Sequence, residues 1–301
     1  MVRMPSGRIP GVGLVFLVLS STRVIGAADD YEAEILRWRQ ERVNRLMADD
    51  GWLTVSGLFW LKEGANTIGA DPSSDIVLPA GSAPERVGEI VYEGGRATIH
   101  VAEGVRVTAD GRPVTTMPLR DDQQETTDIL AIGDLRVYVI ERSGRRAVRL
   151  KDPNSKFRKE FTGLFWYPVK RSFRVTARFV AYDTPREIRV PTILGTVEKS
   201  PCPGYVVWRM GGQEVRLLPV VSAPGDDFFF IFKDATSGEE TYPGGRFLYA
   251  APPVDGRVIL DFNKAYNPPC AFTPYATCPL PPEGNRLDIR VEAGELNYSG
   301  H

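Results

Sequence analysis

The segment from Asp261 to Asn285 concentrates the side chains of this sequence that are equipped for chemistry. Within it stand Asp261, Asn263, Tyr266, Asn267 and Tyr275, together with Cys270, Cys278 and six prolines. Each proline locks φ near about −65° and removes a backbone donor, so this density marks a chain held on a fixed irregular path. A rigid frame of carboxylate, amide and phenol groups suits a small polar ligand, because nothing has to be ordered on binding. The same groups equally suit a tied-down cap over the open end of a barrel, with their polar atoms spent on backbone. A hydrolytic centre is the third reading, its acid, base or nucleophile drawn from Asp261, Tyr266, Cys270 or Tyr275. Upstream, the turn from Thr241 to Arg246 brings Arg246 toward this segment, either as a ligand-binding guanidinium or as the buried ion-pair partner of Asp261.

Three cysteines occur, Cys202, Cys270 and Cys278. In a chain that reads as exported, Cys270 and Cys278 are expected to form a disulfide across their short loop. Cys202, between Pro201 and Pro203, is then the free thiol, expected on a loop. The only histidines are His100 and His301, and a structural zinc ion needs about four ligands, so no metal site is expected. No G-x-S-x-G elbow, S-x-x-K, H-E-x-x-H, phosphate-binding glycine loop or strand-linked G-x-G-x-x-G occurs, and no cofactor is expected. The acidic pairs Asp121-Asp122, Asp226-Asp227 and Glu239-Glu240 read as solvated turns rather than glycosidase carboxylates. With 37 Lys+Arg against 38 Asp+Glu the formal charge is −1, so no global field recruits nucleic acid or an anionic membrane.

The elements that must position these groups begin after a processing segment. Arg3 and Arg8 precede the apolar run Val12 to Leu19, and small residues close at Gly26, Ala27 and Ala28. That order is a signal peptide over residues 1–28, which predicts a periplasmic or secreted protein. The run is shorter than the about 20 apolar residues that span a bilayer, so no membrane span is expected after cleavage. Residues 29–50 read as a helix, with Tyr31, Ile35, Trp38, Leu46 and Met47 on one face and Gly51 as its stop. Beyond Trp52, strand-length runs alternate with Gly, Pro and Asp turns, and Asp110-Gly111 sits where a tight hairpin turn belongs. Glycine at 29 and proline at 24 fit many short strands. An all-β chain follows: a sandwich over residues 51–155, a polar boundary near Lys151 to Lys159, and a second antiparallel sandwich or barrel over residues 156–301. The clusters Phe59-Trp60, Phe165-Trp166-Tyr167 and Phe228-Phe229-Phe230 alternate as core does, not as a carbohydrate platform.

The run from Gly64 to Pro79, with Asp110-Gly111 and Ile132-Gly133-Asp134-Leu135, resembles the forkhead-associated β-sandwich. That resemblance implies the fold of the first half without phosphopeptide reading. Ala70 stands where the family has an arginine, and Glu85 and Gly88 fall where its phosphate-reading serine and histidine belong, so a phosphate would meet a carboxylate. A longer likeness rests on Trp38-Arg39-x-x-Arg42, Gly51-Trp-Leu with Gly57 to Leu61, Phe161-x-Gly163 to Pro168, Gly245 to Leu248 and the whole run Asp261 to Pro281. This set resembles the bacterial and archaeal domain-of-unknown-function 1684 family, which implies no particular activity.

Overall fold

In a computed structural model, residues 27–223 and 225–298 are described. Most of the segment expected to be a signal peptide, residues 1–28, and His301 lie outside them. The described residues are mostly β, with one long helix, α1 (Ala27–Met47), the single turn α2 (Lys156–Lys159) and short 3-10 turns. The helix ends at Met47, short of the residue 50 that the sequence suggests. At Gly51 a Cβ would lie 2.3 Å from the Leu46 carbonyl oxygen, so the chain turns there only with glycine. Of the face expected from the 3.6 period, Tyr31, Ile35 and Leu46 are buried and Trp38 and Met47 half-buried; Arg42, not expected there, is buried with them.

The first half has eleven strands: β1 (Val55–Trp60), β2 (Gly64–Gly69), β3 (Ile76–Val77), β4 (Gly88–Glu93), β5 (Arg96–Val101), β6 (Thr108–Ala109), β7 (Arg112–Pro113), β8 (Thr116–Leu119), β9 (Leu130–Ile132), β10 (Leu135–Arg142) and β11 (Arg145–Lys151). They form a six-stranded sheet, β1-β11-β10-β9-β6-β7, and a five-stranded sheet, β3-β2-β4-β5-β8. Alternation explains the sandwich. In β10, Leu135, Val137 and Val139 point to the core, and they meet Ile68, Ile90 and Ile99 of the facing sheet. The pair Asp121-Asp122 is not a solvated turn. Asp121 pairs with Arg146 at 2.8 Å and Asp122 with Arg142 at 2.7 Å, tying the β8–β9 connection to the β10–β11 hairpin.

The second half contains β12 (Arg174–Pro191), β13 (Val197–Met210), β14 (Gln213–Leu217), β15 (Phe228–Phe232), β16 (Arg246–Ala250) and β17 (Arg257–Asp261). Its sheets run β14-β13-β12-β17 and β15-β16, antiparallel throughout, around a core that includes Trp208, Phe228, Phe230, Phe232, Leu248 and Phe262. Phe229, on the opposite face of β15, stacks on Tyr249 at 4.7 Å, as period-two alternation requires. Cys202 lies inside β13, fully buried, with its thiol donating to the Gly204 carbonyl at 3.0 Å; it is not on a loop.

Helix α1 docks on this second half. The Tyr31 hydroxyl donates to the Asp261 carboxylate, 2.8 Å from Oδ1, and accepts from Asn263 Nδ2 at 3.0 Å. Arg39 donates to the Tyr167 carbonyl at 2.9 Å, and Lys264 pairs with Glu34 at 2.6 Å. Among the described residues no helix is long and apolar enough to cross a membrane.

Candidate functional site

Where α1 crosses the start of the proline-rich segment, it leaves a recess of about 300 Å³ walled by Trp38, Arg42, Arg45, Tyr249, Lys264 and Tyr266. Helical spacing sets the α1 side: Trp38, Arg42 and Arg45 stand four and three residues apart and share one face. On the opposite wall, Tyr266 is fixed by its own backbone. Its N–H donates to the Phe247 carbonyl at 3.0 Å and its carbonyl accepts from Phe247 N–H at 2.8 Å, so the segment continues the β16 edge for one residue. Tyr249 alternates outward from β16 and is 54% exposed, an apolar face left open beside two cations.

Arg42 is the centre of the arrangement. Its guanidinium lies 4.6 Å from the Tyr266 ring centre and 5.6 Å from that of Phe272, donates to the Asn267 carbonyl at 2.9 Å, and approaches Glu295 Oε2 at 3.4 Å. Stacking and hydrogen bonding together fix a planar cation, a task for which lysine would be a poor substitute. Arg45 is exposed and Lys264 half-buried. The recess therefore gathers three cations, one held by Glu34 at the surface and one backed by Glu295. Burial pushes the Tyr266 phenol well above its ordinary range, so it serves as a neutral donor and not as a base.

Glu295 lies beneath Arg42 with no exposed surface. Burial pushes its carboxyl up from 4.5 to about 7, against the opposing pull of Arg42 and Asn267. Its Oε1 and the Asn267 Oδ1 are both buried without a donor, while Asn267 Nδ2 donates to the Leu296 carbonyl at 2.7 Å. Two orphaned acceptors in one buried site favour a proton on the carboxyl. Gly294 makes the placement feasible: its φ is +85°, and a Cβ there would lie 2.5 Å from the Ala265 carbonyl oxygen.

Of the residues that the sequence singled out, Tyr266 lines the recess and Asn267 braces its cation. Asp261 and Asn263 serve the docking of α1; the Asp261 carboxylate also meets Arg174 at 3.6 Å. Tyr275 stands elsewhere, edge-on to Phe157 at 6.2 Å. The expected partnership of Arg246 and Asp261 is absent. Arg246 is sealed in the core, pairs with Asp234 at 3.1 Å, and donates to the carbonyls of Val291, at 2.9 Å, and Ala293. Asp261 is taken by α1, which leaves Asp234 as the nearer carboxylate. The expected disulfide is also absent: Cys270 and Cys278 are both free thiols, in contact but unbonded. Arg45, Tyr249, Lys264 and Glu295 escaped the sequence reading, and only the W-R-x-x-R spacing on α1 hinted at the cationic wall.

A larger hollow of about 650 Å³ opens between the halves, lined by Trp52, Arg142, Glu198, Lys199, Thr277 and Cys278 among others. Its charges are balanced, and Arg142 is spent on Asp122.

Residues 159–296 match the family model described as "Protein of unknown function (DUF1684)". An uncharacterised protein of Haloarcula marismortui, solved by solution NMR, is 30% identical over 48% of this chain and 81% of that one, with a TM-score of 0.40. The chain belongs to the DUF1684 family. The matched segment carries Tyr249, Lys264, Tyr266, Asn267 and Glu295, while α1 supplies the other wall from outside it. The chain is also similar to forkhead-associated domains. One, from a Mycobacterium tuberculosis ABC transporter, is 26% identical over 30% of this chain and 77% of that domain, with a TM-score of 0.23. Another, the FhaA domain solved with the intracellular domain of a partner, is 20% identical over 31% of this chain and 97% of that one, also at 0.23. No curated protein matches.

Proposed function

We propose that this DUF1684 protein is an exported binding module for a small anion with an aromatic or apolar body, held in the recess between α1 and the proline-rich segment. The observation that carries the reading is the gathering of Arg42, Arg45 and Lys264 around the half-buried Trp38 and Tyr266 and the exposed Tyr249. Charge-assisted donors orient the acidic group, and the aromatic walls take the body. The rigid backbone on both sides lowers the ordering cost of binding.

p-Toluenesulfonate is a suitable probe, since its charge is constant across the pH range and its ring matches the walls. Calorimetry is expected to show saturable binding, weakened about tenfold or more by the double substitution of Arg45→Ala and Lys264→Ala, each lost charge-assisted contact being worth roughly 1.5–3 kcal/mol. Thermal stability should stay nearly unchanged, because the one ion pair removed, Lys264 to Glu34, is at the surface. Equal affinity in wild type and double variant would sink the reading.

Export rests on the residues alone: a basic start, a short apolar run and a small-residue site in that order. Sequencing of the protein from its own host is expected to begin near Asp29, and recovery of Met1 would count against it.

A further inference from the structure

The sheet β14-β13-β12-β17 turns its arginines away from the core. Period-two alternation buries Val258 and Leu260 of β17 and sends Arg257 and Ile259 outward, and on β12 it sends out Arg178 on either side of which Ala177 and Phe179 point in. Register then sets the neighbours. Arg257 stands opposite Arg178, Arg178 opposite Val207, and Val207 opposite Arg216, which makes one row across the outer face. At the β17 end the row gains Val254. The tight Asp255-Gly256 turn, with φ of 49° and 69°, lets Val254 and Arg257 exchange both backbone hydrogen bonds at 2.9 Å, so their side chains project to one side.

Arg178 and Arg257 form the close kind of pair. Phe179 N–H donates to the Gly256 carbonyl at 2.8 Å, and the adjacent pair Arg178–Arg257 is therefore non-hydrogen-bonded, the arrangement in which opposite side chains approach most nearly. Like charges facing each other there destabilise a sheet. Among the described residues neither guanidinium has an ion-pair partner or a hydrogen bond to relieve it. Glu214 accepts from Arg216 at 2.6 Å, with the charges of Arg178 and Arg209 bearing on it from further off, and Asp261 is taken by Arg174 and Tyr31. Arg178 and Arg257 both line a recess of about 550 Å³, together with Thr176, Asp255 and Gly256. It shares no residue with the anion recess beside α1.

Beside these cations stand exposed aliphatic side chains. Val254, at 71%, is the most exposed large apolar residue among those described, and Ile259 is 47% exposed. A soluble anion would pair the arginines and leave both side chains in water; an apolar protein surface would cover them and strand the charges. A phospholipid surface offers both at once, because its phosphates lie just outside its acyl chains. The arginine stacked over a tyrosine in the same row, Arg216 at 5.2 Å from the Tyr205 ring centre, suits that boundary as well.

We infer that this face docks on a bilayer of anionic phospholipid, with a lipid phosphate bracketed by Arg178 and Arg257 and with Val254 and Ile259 entering the boundary between headgroups and acyl chains. The formal charge of the whole chain is −1, so the attraction belongs to this face and fades beyond about 10 Å in roughly 0.1 M salt. Asp255 is the carboxylate on the recess wall that opposes it.

The test is co-sedimentation of the protein, purified from its own host, with vesicles of equal parts phosphatidylglycerol and phosphatidylcholine, against vesicles of phosphatidylcholine alone. Wild type is expected to pellet with the first, to stay in solution with the second, and to be released as salt is raised. The double variant Arg178→Gln/Arg257→Gln should bind the anionic vesicles at least tenfold more weakly. It should melt no lower than wild type, since both side chains are exposed and a like-charge pair is removed, and its p-toluenesulfonate binding should be unchanged. Val254→Ser/Ile259→Ser should weaken vesicle binding severalfold, and Asp255→Asn should strengthen it. No pelleting with the anionic vesicles, or equal pelleting with both kinds, would overturn the inference. So would undiminished binding by the double arginine variant, which marks attachment through another part of the chain, and capture by dextran sulfate with the vesicles left bare, which marks a polysaccharide face instead.

Discussion

Replacing Arg246 by Met is expected to lower the unfolding free energy by about 3–5 kcal/mol, the cost of leaving one member of a buried ion pair without the other. Both side chains of the Arg246–Asp234 pair are fully buried. The methionine would retain much of the stem's packing against Phe232, over whose ring the guanidinium sits at 5.3 Å. What it removes is the donor set for Asp234 and for the carbonyls of Val291 and Ala293. Those carbonyls belong to a segment with no full strand partner, so the guanidinium does there what a neighbouring strand does elsewhere. Burial pulls the Arg246 pKa down and the Asp234 charge pushes it back. The double substitution of Arg246→Met and Asp234→Asn should recover part of the loss, because no charge is then stranded. Urea denaturation monitored by tryptophan fluorescence reads both effects. A single variant within about 0.5 kcal/mol of wild type would show that the pair is dispensable. p-Toluenesulfonate binding by the folded fraction should be unaffected, since Arg246 has no surface in the recess.

Glu295 is expected to make both stability and anion binding depend on pH, in the same direction. Its pKa in the folded protein, about 7, lies above its ordinary value of 4.5. The folded state therefore holds a proton that the unfolded state has released, and this contribution is complete below about pH 4.5 and lost as pH rises through about 7. The groups facing the carboxyl are Arg42 from α1 and Asn267 from the proline-rich segment, with the Tyr266 phenol and Arg246 further off. When Glu295 is neutral, the charge of Arg42 is uncompensated and directed at the recess; when it ionises, that charge is partly cancelled. p-Toluenesulfonate affinity should fall severalfold between pH 5.5 and about 8.5, with proton uptake on binding near neutrality. Glu295→Gln keeps the shape and fixes the neutral state, so it should hold the low-pH affinity and stability across the range. A variant with the wild-type pH profile would assign the dependence to another group.

Much of the chain is legible without its structure, for a physical reason. Period-two alternation in Leu135 to Arg142, the 3.6 period of Tyr31, Ile35 and Leu46, and the positive-φ turn at Asp110-Gly111 are all local signals. They determine where strands, helix and turns form and which side of each meets a core. The rigidity of Asp261 to Asn285 is local too, because each proline restricts its own residue.

Which polar groups become neighbours is not a local property. Asp261 and Arg246 lie only 15 positions apart, yet Asp261 belongs to Tyr31, 230 positions away, and Arg246 to Asp234. The docking of α1 onto the second half decided the first pairing, and the path of Val291 to Ala293 decided the second. Neither leaves a trace in spacing. Cys270 and Cys278 show the same division: their spacing brings them together, while whether they bond depends on how their backbones are aimed. The anion recess depends on tertiary structure still more. Trp38, Arg42 and Arg45 share a helix face by sequence, but Tyr249, Lys264, Tyr266 and Glu295 join them only because a helix from one end of the chain crosses a segment more than 200 residues later. Composition and periodicity determined the elements and their faces; long-range packing alone decided which charges stand together, and so where this protein can bind.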